Sequence, residues 1–458
     1  MTLSKSNDQL NHDAESCNVH ECAICKQEKP FTMPEEIISA YKQGNLVIFA
    51  GAGVSTETSD VYPFTFQELI KDELGIPPNE KIELPKLLSL YCKPPRSRKD
   101  LLRIIKERID YVKGYSEFYT FATSFHRKLA LIPHLNEIFT TNWDDFFEKE
   151  CDATPIVTGQ DFAVFQDVGG RTVFKLHGSI YNYGSIVATE EDYKKCYQRL
   201  STGIIGANLK LLLMSKTIVF VGFSFDDNDF QRLYRLLKKD VSGLIPQSYV
   251  VTLDENAQEK LNALSINATA IVTSAVFFVE QFRKRLVKDK LMLSADKFAK
   301  IFKTRQIIEK ENAKLRTFKL KNYPDLIYAY YYMDGLIHTI DYLILKSKSG
   351  VNSCRDHVLA ELLELGRIAK TYLAEKKYTD ATYVKGRQQA LAYFIADNDE
   401  KLPIFFVFGS KKKIESFDEF SKILVDAEKL HKAAHKMAQD YIGANYPDDL
   451  FPHHAPFI

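Results

Sequence analysis

The chain has 458 residues, of which 45% are apolar and 26% charged, the make-up of a folded globular protein with room for two to four domains. Its 61 Lys and Arg stand against 60 Asp and Glu, a formal net charge of +1. These figures exclude a disordered, collagen-like or disulfide-scaffold protein, and also a uniformly basic nucleic-acid binder or an acidic-tail protein.

No apolar run is long enough to span a bilayer, and residues 1–15 are polar, without the apolar stretch of a secretory signal. The expectation is a cytoplasmic protein with no membrane partner. The 7 Cys fit that setting as reduced thiols, being odd in number and scattered. A polar leader over 1–33 holds Cys17, Cys22 and Cys25 with His12 and His20 nearby. Such spacing can supply zinc ligands, but a second Cys pair at a suitable distance is missing. A mobile leader with free thiols is the other reading.

From residue 34 the pattern changes. Residues 35–44 form a short helical pattern ended by a glycine, and Leu46-Val-Ile-Phe-Ala50 is a compact apolar run, the mark of a buried parallel strand. Further strands are expected at 137–141, 172–176, 217–221 and 248–253. Helical patterns lie between them, for example at 100–112, 118–131 and 229–239. Strands alternating with helices predict a parallel sheet covered on both faces, with ligands at the carboxyl ends of the strands. The first four strands each end in a small or polar cluster: Gly51-Ala-Gly53, Asn142-Trp-Asp144, His177-Gly-Ser179 and Gly222-Phe-Ser224.

Each cluster has a chemical and a structural reading. Glycines after a strand let the backbone approach a pyrophosphate, with N–H groups of a following helix start on the anion; a plain structural turn needs the same residues. An Asn and an Asp at a strand end can hold ribose hydroxyls, a water or a carboxamide, or can cap the next helix near Asp145. Trp143 reads as packing. His177 titrates near neutrality and can act as a general base, although a lone His is often structural. Gly178 would let substrate come close, and Ser179 would orient the ring. Asp226, Asp227 and Asp229 read as an N-cap and a solvated first turn rather than a metal site.

In their order and positions these clusters resemble the sirtuin-like superfamily: Gly-Ala-Gly-x-Ser, then Thr-x-Asn-x-Asp, then His-Gly-Ser, then Gly-x-Ser, each after a strand. The resemblance covers roughly residues 34–285. It implies a Rossmann-like α/β fold that binds NAD. By resemblance, Gly51, Ala52, Gly53 and Ser55 line the pyrophosphate and ribose site. Asn142 holds the nicotinamide ribose and positions water, Asp144 contacts the carboxamide, and His177 is the base. Gly222 and Ser224 hold the adenosine side, with Asp254 a further candidate for the adenine ribose.

Two departures matter. Deacylases of this family carry a four-Cys zinc module after the His-Gly-Ser motif, whereas only Cys196 lies between Ser179 and Gly222 here. The family's Pro-Asp-Phe-Arg signature is also absent, and Pro63-Phe-Thr-Phe66 stands roughly in its place. The sequence thus resembles the zinc-free subgroup of bacterial anti-phage defence proteins that hydrolyse NAD. That likeness implies NAD as substrate, no metal, and the products nicotinamide and ADP-ribose. The alternatives are an NAD-dependent protein deacylase or ADP-ribosyltransferase, and a non-catalytic NAD or ADP-ribose sensor.

The division expected is a catalytic domain over 34–290 and a mainly helical assembly or regulatory domain over 291–458. Helical spacing runs over 281–321, 326–345, 354–375, 383–397 and 417–441, interrupted by a strand-like run at 404–409. His431 and His435 share a helix face without a ligand set, and the Tyr328, Tyr330, Tyr331 and Tyr332 cluster is either core or an interface anchor. A homo-oligomer is expected, with a partner ATPase or a phage-derived trigger as possible partners. Residues 283–321 contain 14 Lys or Arg and 4 Asp or Glu, a local balance of +10 that leaves −9 for the rest. That stretch reads as a solvated linker helix, a subunit contact or a nucleic-acid contact.

Overall fold

The computed structural model describes residues 28–55, 64–165, 169–223, 231, 234–235, 246–397, 401–443, 446–447 and 450–456. Cys17, Cys22 and Cys25, Ser224, the acidic Asp226, Asp227 and Asp229, and most of the helix expected over 229–239 lie outside the described residues. The chain divides into two compact units between Lys288 and Asp289.

The first unit is built on seven parallel strands: β1 (Leu46–Ala50), β2 (Glu137–Thr140), β3 (Thr154–Ile156), β4 (Thr172–Lys175), β5 (Thr217–Val221), β6 (Ser248–Thr252) and β7 (Ala268–Val272). Their spatial order is β3-β4-β2-β1-β5-β6-β7. All five residues of β1 are buried, as are the last four of β5, so both faces of the sheet centre are covered. This is why these strands read as unbroken apolar runs instead of alternating ones. On one face Val47, Phe49, Phe139, Phe220 and Val250 form a continuous core with Leu209 and Leu261 from overlying helices. Short edge strands β3 and β7 were not legible: β3 is Thr-Pro-Ile, and β7 is only half buried.

The chain leaves β1 toward β2 and leaves β5 toward β6, on opposite sides. In an open parallel sheet this reversal opens a crevice beyond the carboxyl ends of the two strands, the general position for a ligand. The helix expected over 118–131 is two helices, Ser116–Ala122 and Ser124–Ala130, broken at the fully buried Thr123.

Helix Ser124–Ala130 carries His126, which is 0% exposed and ringed by Phe125, Phe146 and Phe147, the last with its ring centroid 4.4 Å away. Neither ring nitrogen has a hydrogen-bond partner among the described residues. Burial pushes its pKa down from 6.5 to about 3, against a smaller opposing pull from Glu150. The imidazole is therefore neutral in the fold and charged in the unfolded chain below about pH 6.5. The unfolded state binds the extra proton, so stability falls as pH drops from there toward 3, by about 1.4 kcal/mol per pH unit from this group. His126→Phe is expected to flatten the acid side of the stability curve by that slope in denaturant titrations from pH 7 to pH 4. An unchanged slope counts against a neutral core histidine.

The second unit is helical. The helix Leu326–Leu345 appears where the sequence places it, and the helices Arg355–Ala374 and Tyr378–Ile395 fall near their expected bounds. Leu326–Leu345 is apolar almost all round, which marks a central helix. Tyr328, Tyr330, Tyr331 and Tyr332 are all buried on it. The Tyr328 and Tyr332 hydroxyls donate to the carbonyls of Ala434 and Pro403, each at 2.8 Å, so the tyrosine cluster is core. The run at 404–409 forms no strand. Phe405 makes a single bridge to Ile414, and Ile404, Phe405, Val407 and Phe408 are buried in the helical core, which explains their apolarity without a sheet. The helix expected over 417–441 is three: Phe417–Leu424, Ala427–Leu430 and Lys432–Ile442. His431 caps the last of them, its Nδ1 accepting from the Ala434 N–H at 3.1 Å, while His435 Nδ1 pairs with Asp325. The two histidines do not share a ligand.

The basic stretch is divided too. Arg283, Lys284, Arg285 and Lys288 close the helix Ala275–Lys288 of the first unit, and the rest belong to the second. Part of the charge is locally paired: Arg285 forks onto Glu35 at 2.7 and 2.8 Å, and Arg305 lies 2.7 Å from Asp341. Among the described residues no helix is long and apolar enough to cross a membrane.

Candidate active site at the carboxyl ends of the strands

The strand register brings the sequence clusters to one level. Ala50 pairs with Thr140, Thr140 with Lys175, and Ala50 with Val221. Asn142 and His177 therefore stand two residues beyond paired positions on the neighbouring strands β2 and β4. Gly51 and Gly222 follow the paired ends of β1 and β5 in the same way. Val221 pairs with Val251, so the exit of β6 and Asp254 lie on the same edge of the sheet.

The glycines at the β1 and β5 exits have a packing reason. The Gly51 N–H donates to Val221 O at 2.8 Å, and the Gly53 N–H donates to Gly222 O at 3.0 Å. A Cβ on Gly51 would fall 2.6 Å from Gly222 O, and one on Gly222, at φ +73°, would fall 2.7 Å from the Val54 nitrogen. Two of the N–H groups expected to cradle an anion thus join the two strand exits. Ala52 and Gly53 remain exposed in a single 3₁₀ turn, Ala52–Val54. The next helix among the described residues, Phe66–Leu74, starts under a Thr65–Glu68 capping box.

Ser55, Asn142 and Asp144 are brought together. All three are at least 90% buried. The Asn142 amide Nδ2 donates to Ser55 Oγ at 2.8 Å, and its backbone N–H donates to Thr140 Oγ1 at 3.0 Å. Asn142 Oδ1 is buried without a partner among the described residues. Asp144 Oδ1 accepts from the Phe146 N–H at 3.1 Å, so it does the helix-start work that the capping reading anticipated. Asn142 does not. Burial raises the Asp144 pKa; the Lys175 charge, the Phe146 N–H and the Ser55 hydroxyl oppose that rise.

His177 is 3% exposed, with its ring edge-on to Tyr193 at 5.0 Å. Its carbonyl accepts from the Val187 N–H at 2.9 Å. Gly178 has φ +85°, and a Cβ there would lie 2.2 Å from Ser185 O, so its requirement is a tight turn against the chain itself. The Ser179 N–H donates to Ser185 Oγ at 3.0 Å, and Ile180 N donates to Trp143 O at 2.8 Å, tying the two strand exits together. Trp143 packs edge-on to Phe66.

Asp254 is bonded within its own turn and to the helix that follows. Oδ1 accepts from the Asn256 N–H at 3.0 Å and Oδ2 pairs with Lys260 at 2.6 Å, which together hold its carboxyl below the usual range. Among the described residues no group of three His, Cys, Asp or Glu is arranged to hold a metal ion.

Two charged residues beneath the site escaped the sequence reading. Lys175, 2% exposed, donates to the Asp144 carbonyl and to Glu148 Oε1 at 2.9 Å. Asp145, 0% exposed, is ringed by Lys113 at 2.5 Å, Lys149 at 3.0 Å and the Tyr181 hydroxyl at 2.7 Å, which keep it ionised despite burial. A charged residue between the apolar Val173-Phe174 and Leu176 was the available signal for Lys175.

Residues 136–271 match the model of the SIR2-like domain. Over 202 residues, 42% of this chain, the sequence is 31% identical to 40% of a protein named NAD(+) hydrolase ThsA from Enterococcus faecium. It is 28% identical over 216 residues to a protein of the same name from Bacillus cereus, covering 43% of this chain and 44% of that one. A third, from Cytobacillus dafuensis, is 28% identical over 205 residues. The chain thus matches less than half the length of these curated relatives.

Proposed function

We propose, from the match of residues 136–271 to the SIR2-like domain, that the protein hydrolyses the nicotinamide–ribose bond of NAD, and that it does so in bacterial anti-phage defence. The observation that supports this most is the register that sets Asn142 and His177 level on adjacent strands, with Ser55 bonded to Asn142.

Nicotinamide in NAD is a cationic leaving group, so its glycosidic bond is already activated. The site has to orient the ribose, stabilise an oxocarbenium-like state and deliver water. In the proposed reaction Asp144 accepts from the carboxamide NH2 and Asn142 orients the water. The water oxygen bonds to the ribose C1′, and the C–N electron pair leaves with neutral nicotinamide. The water's proton passes through His177 to solvent. Ala52, Gly53 and Gly222 are proposed to face the pyrophosphate and adenosine.

The test is direct: incubate the purified full chain with NAD and quantify nicotinamide and ADP-ribose, with an acylated peptide as a competing acceptor. Free ADP-ribose supports hydrolysis. Acyl-ADP-ribose formed with a deacylated peptide makes the chain a deacylase, and ADP-ribose attached to peptide or protein makes it an ADP-ribosyltransferase. Tight NAD binding without products makes it a sensor. The unit from Asp289 onward is proposed to restrain this cell-toxic chemistry through self-assembly or a partner. A sedimenting monomer that is active alone would remove that role.

A further inference from the structure

Lys175 is the last residue of β4, two before His177. Its neighbours Val173, Phe174 and Leu176 are apolar and buried, as befits a strand covered on both faces. An apolar side chain at 175 would continue that core. The lysine instead carries an ammonium into it, a costly choice unless the charge is bonded on arrival. It is bonded twice: to the backbone carbonyl of Asp144, in the turn after β2, and to Glu148 on the helix Phe146–Cys151. One cation thus joins the strand that bears His177 to the turn that bears Asn142 and Asp144. The other charged or titratable groups around it are Asp145, held by Lys113, Lys149 and Tyr181, and His126 of the helix Ser124–Ala130.

We propose that Lys175 is a positioning residue of the site. It pins the Asn142-Trp143-Asp144 turn through the Asp144 carbonyl, and its charge, shared with Glu148, keeps Asp144 able to accept from substrate. The kinetic side of this inference rests on the NAD hydrolase reading; the positioning side does not.

Burial raises both Asp144 and Glu148, the Asp144 carboxylate raises Glu148 further, and Lys175 opposes the rise in both. The accepting form of Asp144 is the ionised one, so turnover is lost as pH falls through its pKa. This gives the rate profile an acid limb beside the one that protonation of the base His177 sets. Lys175→Met removes the cation and moves that limb to higher pH. Glu148→Gln removes a like charge and moves it to lower pH, each by about one pH unit. A side chain that merely fills space would not produce opposite displacements. Lys175→Met also lowers kcat by about 10²-fold, the usual cost of a displaced reacting geometry.

The experiment compares kcat against pH for the unmutated full chain and the two variants, with amide hydrogen exchange on each protein free of NAD. Exchange at residues 142–146 is expected to rise about tenfold in Lys175→Met while β5 stays protected. Unmoved exchange in a folded Lys175→Met, or limbs that stay put or shift together, overturns the proposal. If Lys175→Met does not fold, Glu148→Gln keeps the side-chain shape and still decides by the direction of its limb. If the unmutated chain leaves NAD intact, the functional reading falls, and hydrogen exchange alone judges the positioning role.

Discussion

Asn142→Ala and His177→Ala are each expected to bring NAD hydrolysis close to background while the protein stays folded. Asn142 offers one buried amide whose Nδ2 is bonded to Ser55 and whose Oδ1 has no partner among the described residues, an acceptor available to orient a water. Losing such a preorganised group typically costs about 10²–10³-fold in turnover. His177 supplies the titratable nitrogen at the same level of the sheet, and removing a general base costs about 10²–10⁴-fold. Folding should survive because both side chains lie beyond the last paired residues of β2 and β4, Thr140 and Lys175, so the ladder is untouched. Nicotinamide release, measured beside thermal melts of the same samples, checks both halves. If both variants keep the parent's activity, the site lies elsewhere.

The second large effect concerns stability. Gly386 sits on the helix Tyr378–Ile395 and Gly335 on the helix Leu326–Leu345, and each admits the other helix's backbone. A Cβ at Gly386 would stand 2.1 Å from Tyr332 O, and one at Gly335 would stand 2.1 Å from Tyr383 O. Backbone cannot swing aside as a side chain can, so either Ala forces the two central helices of this unit apart. Overpacking of this kind costs about 3 kcal/mol, which corresponds to a Tm lower by about 6–12 °C in a unit of this size. Gly366, on the helix Arg355–Ala374, is the control. Its Cβ would meet only the end of the flexible Gln388 side chain, at 2.9 Å. There Gly→Ala should leave Tm unchanged or raise it, since glycine inside a helix costs about 0.5–1 kcal/mol relative to alanine. Equal Tm changes at 366 and 386 would contradict close backbone contact as the reason for the glycines.

What the amino-acid sequence determined by itself was local and repetitive. β1 and β5 announce themselves because a strand buried on both faces must be apolar at every position, and the helix Leu326–Leu345 because a central helix must be apolar all round. The polar clusters after the strands stood out against those apolar runs, so the candidate residues Asn142, Asp144, His177 and Gly222 could be named before any fold was known. The tertiary structure alone decided what those residues touch. Asn142 turned out to bond Ser55, 87 positions away in the chain. Asp144 serves the start of the next helix, and Asp254 is tied to Lys260. The glycines at 51 and 222 are required by the meeting of two strand exits, a contact that no stretch of sequence contains. Lys175, Asp145 and His126 lie outside the motifs for the same reason: the cost of burying a charge or an imidazole, and the groups that offset it, depend on elements far apart in the chain. The edge strands β3 and β7 escaped notice because a short strand with a proline or one solvated face carries too little pattern, and only the neighbouring strand's free hydrogen-bonding groups make it a strand.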